Sequence, residues 1–228
     1  MPEVDTFAPF TERATGTQPL LELVKLGDNP ELNNRIKQLI TEFEPQNIFS
    51  MTLPREPALI KPFQIKVDEK LWKVPQNRLP PRVQTPEKNK KVKRQIDLLR
   101  GDDIIEPSDA TAYSQVFLAP EPHTDPKQWR MCIHYCRLNA LTEAESWSLP
   151  NTEHMFERIG AKRAKFFAVM DFTHGFHQVE VHPLFRFLTA FITFCGIFQF
   201  KRVPFGPKNA PSYFQQSLAY VVLAISNL

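Results

Sequence analysis

One apolar run in the last third of the chain constrains the fold more than any other feature. Between Lys165 and Met170 the side chains are mostly bulky and apolar, which is typical of a buried strand. The run ends at Asp171, after which Thr173 and Gly175 favour a turn. A carboxylate at the end of a rigid strand is a suitable ligand for Mg²⁺. The segment therefore predicts either a metal-binding carboxylate or, more simply, an aspartate that caps a turn.

The composition excludes several classes of protein. With 228 residues and 42% hydrophobic content, the chain is long enough to bury a core, yet no apolar run approaches the roughly 18 residues of a membrane span. Its first residues are acidic and polar, unlike a secretory signal. Three cysteines, an odd number, argue against a disulfide framework. We therefore expect an intracellular protein, cytoplasmic or nuclear, without a membrane partner.

The charge is distributed unevenly along the chain. Residues 61–100 contain twelve Lys and Arg against four Asp and Glu, a net charge of 12 − 4 = +8, although the whole chain carries only +3. A basic block of this density predicts either a nucleic-acid contact or a solvated helix face. The candidate nucleic-acid-binding residues are Lys88, Lys90, Lys91, Lys93 and Arg94.

The distribution of predicted elements favours an α+β fold. Apolar residues at helical spacing, with proline or a capping residue at the start, predict helices that begin near Pro30, Pro86, Pro150 and Ala210. Strands are predicted at Phe63–Val67, Ser114–Ala119, Arg130–Tyr135, Gln178–His182, Leu188–Phe194 and Phe198–Val203. Helices and antiparallel strands in separate runs indicate α+β rather than α/β.

Three long motifs follow one another in a fixed order. The first is W-R-M-C-I-H-Y-C-R-L-N at Trp129–Asn139, and the second runs from Phe167 to Val181 around Asp171. The third begins at Thr189-Ala190-Phe191 and continues as V-P-F-G-P-K-N-A-P at Val203–Pro211. Together they resemble the reverse transcriptase of gypsy-type long-terminal-repeat retrotransposons, and several long motifs in order are a specific signal.

The resemblance implies a right-hand polymerase, with fingers and an incomplete palm built from an antiparallel sheet with helices packed on it. It divides the chain into an N-terminal lead-in with one helix (1–60), a fingers-like region (61–165) and a partial palm (166–228). It also implies RNA-templated DNA synthesis. The partners would be an RNA or DNA template-primer, a deoxynucleoside triphosphate and the remaining palm, thumb and RNase H regions.

The same resemblance implies a role for each candidate site residue. Asp171 would be the catalytic carboxylate that binds Mg²⁺ or Mn²⁺. Phe176 would exclude the 2′-hydroxyl of a ribonucleotide, and Arg130 would bind the triphosphate. The segment Phe205-Gly206, together with Lys208, would shape the nucleotide pocket.

The sequence also departs from this family. The family's aromatic-x-D-D motif, which carries two of the three metal-binding carboxylates, does not occur within the 228 residues. We therefore expect this chain alone to be inactive, with an incomplete metal site. The lysines that the family carries between its two fingers strands are reduced here to Lys127. An alternative hypothesis is accordingly a non-catalytic nucleic-acid-binding module derived from a reverse transcriptase.

Overall fold

The computed structural model describes residues 24–43, 53–120, 129–145, 147, 151–163, 165, 167, 169 and 171–226, with side-chain surroundings up to residue 221. The chain divides into two compact units, Met1–Leu53 and Pro54–Leu228. The first unit contains helix α1 (Pro30–Phe43), which begins where the sequence predicts it. The Asn29 Oδ1 accepts a hydrogen bond from the Leu32 amide at 3.0 Å and so caps its first turn.

The second unit contains one mixed sheet with helices around it. Its helices are α2 (Glu69–Trp72), α3 (Pro86–Gly101), α4 (Cys136–Leu141), α5 (Thr152–Ala161) and α6 (Ala210–Ser226). Its strands are β1 (Ile105–Pro107), β2 (Ser114–Pro120), β3 (Trp129–Ile133), β4 (Phe191–Thr193) and β5 (Gly196–Phe200). The predicted α+β class is confirmed. No helix among the described residues is both long and apolar enough to cross a membrane.

Helix α3 forms as its sequence predicts. Thr85 caps it by accepting a hydrogen bond from the Lys88 amide, and Pro86 occupies the first turn, where a missing N–H costs nothing. Its buried side chains are Val92, Ile96 and Leu99. These three residues recur at helical spacing, so the basic residues between them are left on the outer face.

The sheet has the strand order β1-β5-β4-β2-β3. The antiparallel pair β2–β3 lies where the sequence predicts two strands, with Phe117 opposite Cys132. Strand β2 is also parallel to β4, and β4 pairs with β5 around a turn at Gly196, whose φ of +126° suits glycine. Strand β1 pairs with β5 and was not predicted as a strand.

Four predicted strands differ in extent from the observed elements. In the segment Gln178–His182, Gln178 ends a 3₁₀ turn (Gly175–Gln178), and Glu180 and Val181 make single bridges. In the segment Leu188–Phe194, Leu188 and Thr189 end another 3₁₀ turn (Pro183–Thr189), and Phe191–Thr193 forms strand β4. The segment Phe198–Val203 is observed as β5, Gly196–Phe200. Phe63–Val67 makes a single bridge. The backbone groups here bond to several separate segments instead of one neighbouring strand: the Val181 amide donates to Lys201, and the His182 amide donates to Phe63.

The predicted buried strand before Asp171 is also wrong for the residues that can be described. Phe167 is 70% exposed and Val169 is 95% exposed, and neither belongs to a strand. Residues 166, 168 and 170 lie outside the described part of the chain. An apolar run becomes a buried strand only when a second strand pairs with it. The five-stranded sheet of the described residues places no strand beside this segment.

The core is formed by side chains from three parts of the second unit. These are the segment from Phe63 to α2, helix α4, and the segments on either side of β4 and β5. Its largest fully buried side chains include Phe63, Trp72 and Leu138. Val179, Val181 and Val203 join them from the other side. The 3₁₀ turns Gly175–Gln178 and Pro183–Thr189 both contact this core, the first through Phe176 and the second through Leu188.

Candidate functional site

A tight turn at residues 172–178 fixes the position of Phe176. The Gly175 amide donates to the Phe172 carbonyl at 3.2 Å, and the Gln178 side chain donates to the Thr173 carbonyl at 2.8 Å. A Cβ atom added to Gly175 would lie 2.9 Å from Cζ of Phe214 and 3.3 Å from Cβ of Phe172, so the Phe214 ring would have to shift. The close approach of this ring to the backbone therefore favours glycine in the turn.

Phe176 belongs to a cluster of aromatic rings that meet edge to face. Its ring centroid lies 5.2 Å from that of Phe205 and 5.3 Å from that of Phe214. Phe172 packs on the other side of Phe214 at 6.0 Å. Rings at these separations attract one another beyond their area burial. The two predicted site residues Phe176 and Phe205 are therefore in direct contact, although 29 positions separate them in the sequence.

His177 supports the same cluster from the interior. Its Nδ1 donates to the Val203 carbonyl at 3.0 Å, its ring is stacked on Phe200, and its ring centroid lies 5.2 Å from that of Phe205. The side chain is only 2% exposed. Burial lowers its pKa from 6.5 to about 3. The hydrogen bond to Val203 raises the pKa by a smaller amount, and the nearby His174 and Arg202 lower it further. His177 is therefore a neutral structural support of Phe205.

The loop that contains Phe205 and Gly206 is held by the side chain of Asn139. The Asn139 Nδ2 donates to the Gly206 carbonyl at 2.8 Å, and its Oδ1 accepts from the Lys208 amide at 2.9 Å. Gly206 has a φ of +107°, and a Cβ atom there would lie 3.3 Å from the Tyr135 ring. Both the backbone angle and the close approach therefore favour glycine at this position.

Lys208 points its ammonium group toward the protein. Its Nζ donates to the Thr142 carbonyl at 3.0 Å, just after α4 ends. The next residue, Asn209, is buried and donates to the Glu143 carbonyl at 2.7 Å. The predicted contact between Lys208 and a nucleotide stays a prediction, and in this structure the side chain fastens the loop to α4.

Arg130 lies on β3 opposite Ala119 and is partly buried. Its Nε is buried and has no hydrogen-bond partner among the described residues. A guanidinium has five N–H donors, so a buried donor without an acceptor is costly and favours binding of an anionic group. This is consistent with the predicted triphosphate contact.

Asp171 is exposed, and its carboxylate makes no hydrogen bond or ion pair with the part of the chain that the structure describes. No group of three or more His, Cys, Asp or Glu residues that could hold a metal ion occurs among the described residues. A divalent cation needs several oxygen ligands. Asp171 therefore fits one ligand position, and no cluster of three or more candidate ligands surrounds it among the described residues.

The basic residues of α3 differ in their surroundings. The Nζ atoms of Lys88 and Lys91 lie 4.9 and 5.7 Å from the ring centroid of Trp129, on the strand that carries Arg130. Lys93 forms an ion pair with Asp97 at 2.7 Å. Lys90 and Arg94 are exposed. The helix thus presents a basic surface, and part of it also packs against the candidate site.

Three residues of the site were not predicted as functional from the sequence: Asn139, His177 and Tyr135. All three lie within the motifs quoted above. The motifs indicated that these segments are functional, but they did not indicate which distant groups Asn139 and His177 contact. Their partners lie 67 and 26 residues away along the chain. Tyr135 donates from its hydroxyl to the Thr189 carbonyl at 2.9 Å, and burial raises its pKa well above 10.

The sequence is similar to the Pol proteins of insect retrotransposons. It is 36% identical over 130 residues to the retrovirus-related Pol polyprotein from transposon 412 of Drosophila melanogaster, covering 56% of this chain and 10% of that protein. It is 31% identical over 131 residues to the Pol polyprotein from transposon gypsy of the same species, covering 56% and 12%. The chain thus spans about a tenth of the length of these relatives.

Solved structures show the same fold. The protease-reverse transcriptase of prototype foamy virus aligns with a TM-score of 0.67 at 21% identity, over 90% of this chain and 27% of that one. The foamy viral protein in complex with an RNA/DNA hybrid aligns with a TM-score of 0.62 at 17% identity, over 92% and 26%. Residues 120–227 match the family described as reverse transcriptase (RNA-dependent DNA polymerase). These residues are therefore part of a reverse transcriptase domain of the kind found in retrotransposon Pol polyproteins.

Proposed function

We propose that this chain supplies the nucleotide-selecting part of a polymerase that copies RNA into DNA inside the cell. The observation that carries the proposal is the ring of Phe176, which packs against both Phe205 and Phe214, with ring centroids 5.2 and 5.3 Å apart. Contact with two other rings restricts the movement of Phe176 away from a substrate sugar. A site with a fixed ring rejects the extra 2′-hydroxyl of a ribonucleotide and accepts a deoxynucleotide.

The other site residues take complementary roles in this proposal. The buried Nε of Arg130 has no acceptor among the described residues, which suits the oxygens of a triphosphate. Phe205 and Gly206 line the pocket, since the glycine allows a close approach of backbone to ligand. Asp171 is proposed as one ligand of the divalent ions that reverse transcriptases use. Because this chain offers one such carboxylate, we expect it to be inactive without the remaining regions of a polymerase.

The test is a chimera in which residues 120–227 replace the matching region of the transposon 412 Pol polyprotein. The unmodified 412 protein serves as the positive control. We expect the chimera to extend a primer on an RNA template with deoxynucleotides. Phe176→Val should raise the incorporation of ribonucleotides at least tenfold relative to deoxynucleotides, whereas Phe194→Val, at an exposed ring, should not. Unchanged sugar discrimination in Phe176→Val would contradict the proposed role.

Template-primer binding without catalysis is a second candidate function, favoured by the exposed basic face of α3. The 228-residue chain should then bind an RNA/DNA hybrid at low salt, and its affinity should fall steeply as salt increases, because phosphate contacts release counterions. A plot of the logarithm of the affinity against the logarithm of the salt concentration should have a negative slope. The double variant Lys90→Gln and Arg94→Gln should reduce the magnitude of that slope by about two. Asp171→Ala should bind as the unmodified chain does. A salt-independent affinity would exclude this function.

A further inference from the structure

The side chain of Asn139 closes a bridge across Pro207. Its amide donates to the carbonyl on one side, at Gly206, and accepts from the amide on the other side, at Lys208. The two bonds satisfy the carbonyl that precedes Pro207 and the amide that follows it. The primary amide of asparagine carries both a donor and an acceptor on one short side chain.

The bond from Asn139 matters more for the position of Gly206 than for the position of Lys208. Downstream, Lys208 and Asn209 are also held through bonds to Thr142 and Glu143. Upstream, the Gly206 carbonyl accepts a hydrogen bond from one side chain among the described residues, that of Asn139. Loss of the Asn139 amide would therefore remove the side-chain bond at Gly206, next to Phe205, while the start of α6 stays in place.

Phe205 in turn supports Phe176, with ring centroids 5.2 Å apart. A freed Gly206, whose φ of +107° is one of several backbone angles open to glycine, would let the Phe205 ring shift away. Helix α4 also follows directly on β3, which carries Arg130. Asn139 thus links the segment after the strand of Arg130 to the ring that is proposed to face the sugar.

We propose that Asn139 is a positioning residue that sets sugar discrimination by holding Gly206 and Phe205 against Phe176. This inference rests on the proposed function. It assigns no contact between Asn139 and a substrate, since the amide acts through the loop backbone.

The first experiment needs no catalysis and uses the 228-residue chain. Hydrogen exchange should show that Asn139→Ala lowers the protection of the Lys208 amide, and of the neighbouring Phe205 and Gly206 amides, roughly five- to tenfold, the effect of one lost hydrogen bond. The matched control is Asn151→Ala, which removes a similar bond to the Glu153 amide at the start of α5. It should leave residues 205–208 unchanged.

Asn139→Asp separates positioning from general destabilisation. When protonated, the new carboxyl group can donate to the Gly206 carbonyl and accept from the Lys208 amide, as the native amide does. When ionised, it is an acceptor only and repels the Gly206 carbonyl. Protection relative to the unmodified chain at the same pH should therefore be restored on acidification in Asn139→Asp and not in Asn139→Ala. A pH-independent ratio in Asn139→Asp would overturn the bridge.

The second experiment places Asn139→Ala in the transposon 412 chimera. We expect the KM for deoxynucleotides to rise and the discrimination against ribonucleotides to fall at least threefold, with kcat for deoxynucleotides little changed. Unaltered discrimination in an active chimera would overturn the positioning role. An unmodified chimera that makes no DNA would overturn the proposed function and the sugar-selecting role together, whereas unchanged hydrogen exchange would overturn the bridge alone.

Discussion

Acidification is expected to destabilise the second compact unit through His177. This side chain is 2% exposed, and burial lowers its pKa to about 3. In the unfolded chain an ordinary histidine has a pKa of about 6.5. Between these two values the unfolded state binds a proton that the folded state does not. The contribution of neutral His177 to stability is therefore complete above pH 6.5 and is lost progressively as the pH falls toward 3.

The size of the effect follows from the same two values. Each pH unit below 6.5 lowers the free energy of unfolding by up to about 1.4 kcal/mol, so the loss at pH 5.0 amounts to about 2 kcal/mol. A domain is stable by only about 5–15 kcal/mol. The aromatic cluster should loosen first, because His177 supports the Phe205 ring at a centroid distance of 5.2 Å.

Urea denaturation at pH 7.5 and pH 5.0, followed by circular dichroism, measures this effect. His177→Gln is less stable overall but neutral at both pH values, so its stability should change with pH by about 2 kcal/mol less than that of the unmodified chain. His154→Gln, at an exposed histidine of α5, is the matched control and should keep the original pH dependence. An equal pH dependence in His177→Gln and the unmodified chain would refute the reasoning.

Three further predictions concern stability. Gly175→Ala should cost roughly 1–3 kcal/mol in urea denaturation, because its Cβ would meet the Phe214 ring at 2.9 Å. Tyr135→Phe should cost about 1–2 kcal/mol, because the buried Thr189 carbonyl loses its donor, and it should remove a loss of stability above pH 10 that follows from the raised pKa of Tyr135. Phe156→Lys, at a ring 73% exposed on α5, should change stability by less than about 0.5 kcal/mol and reduce binding of a hydrophobic dye.

Local signals in the sequence predicted some elements well. Helix α3 has local sequence signals at its start and along its length: a capping Thr85, proline in the first turn and an apolar stripe. Its ends could therefore be predicted without knowledge of the rest of the fold. The strand pair β2–β3 was likewise evident. The segment Gln178–His182 shows the limit of such signals. Its alternating burial resembles a strand, but its backbone partners lie on separate segments, which no local pattern reveals.

The candidate site shows the same division. Motif resemblance indicated Phe176 and Phe205, and the structure brings their rings into contact. The predicted roles of Asp171 and Arg130 stay predictions. Asn139 and His177 could not be assigned from the sequence, because an asparagine or a histidine gives no indication of which distant carbonyl it will contact.

The rings around Phe176 and the carboxylate of Asp171 depend on different parts of the structure. Phe176 is fixed by rings from the loop at 205 and from α6, both of which are attached to the core. Asp171 is exposed and follows a segment whose described side chains, at 167 and 169, are largely exposed as well. The proposed sugar-selecting surface therefore depends on rings that this chain itself supplies. The metal-binding function needs oxygen ligands that the described residues do not provide. For this reason nucleotide selection, rather than catalysis, is the property to measure first in variants of this chain.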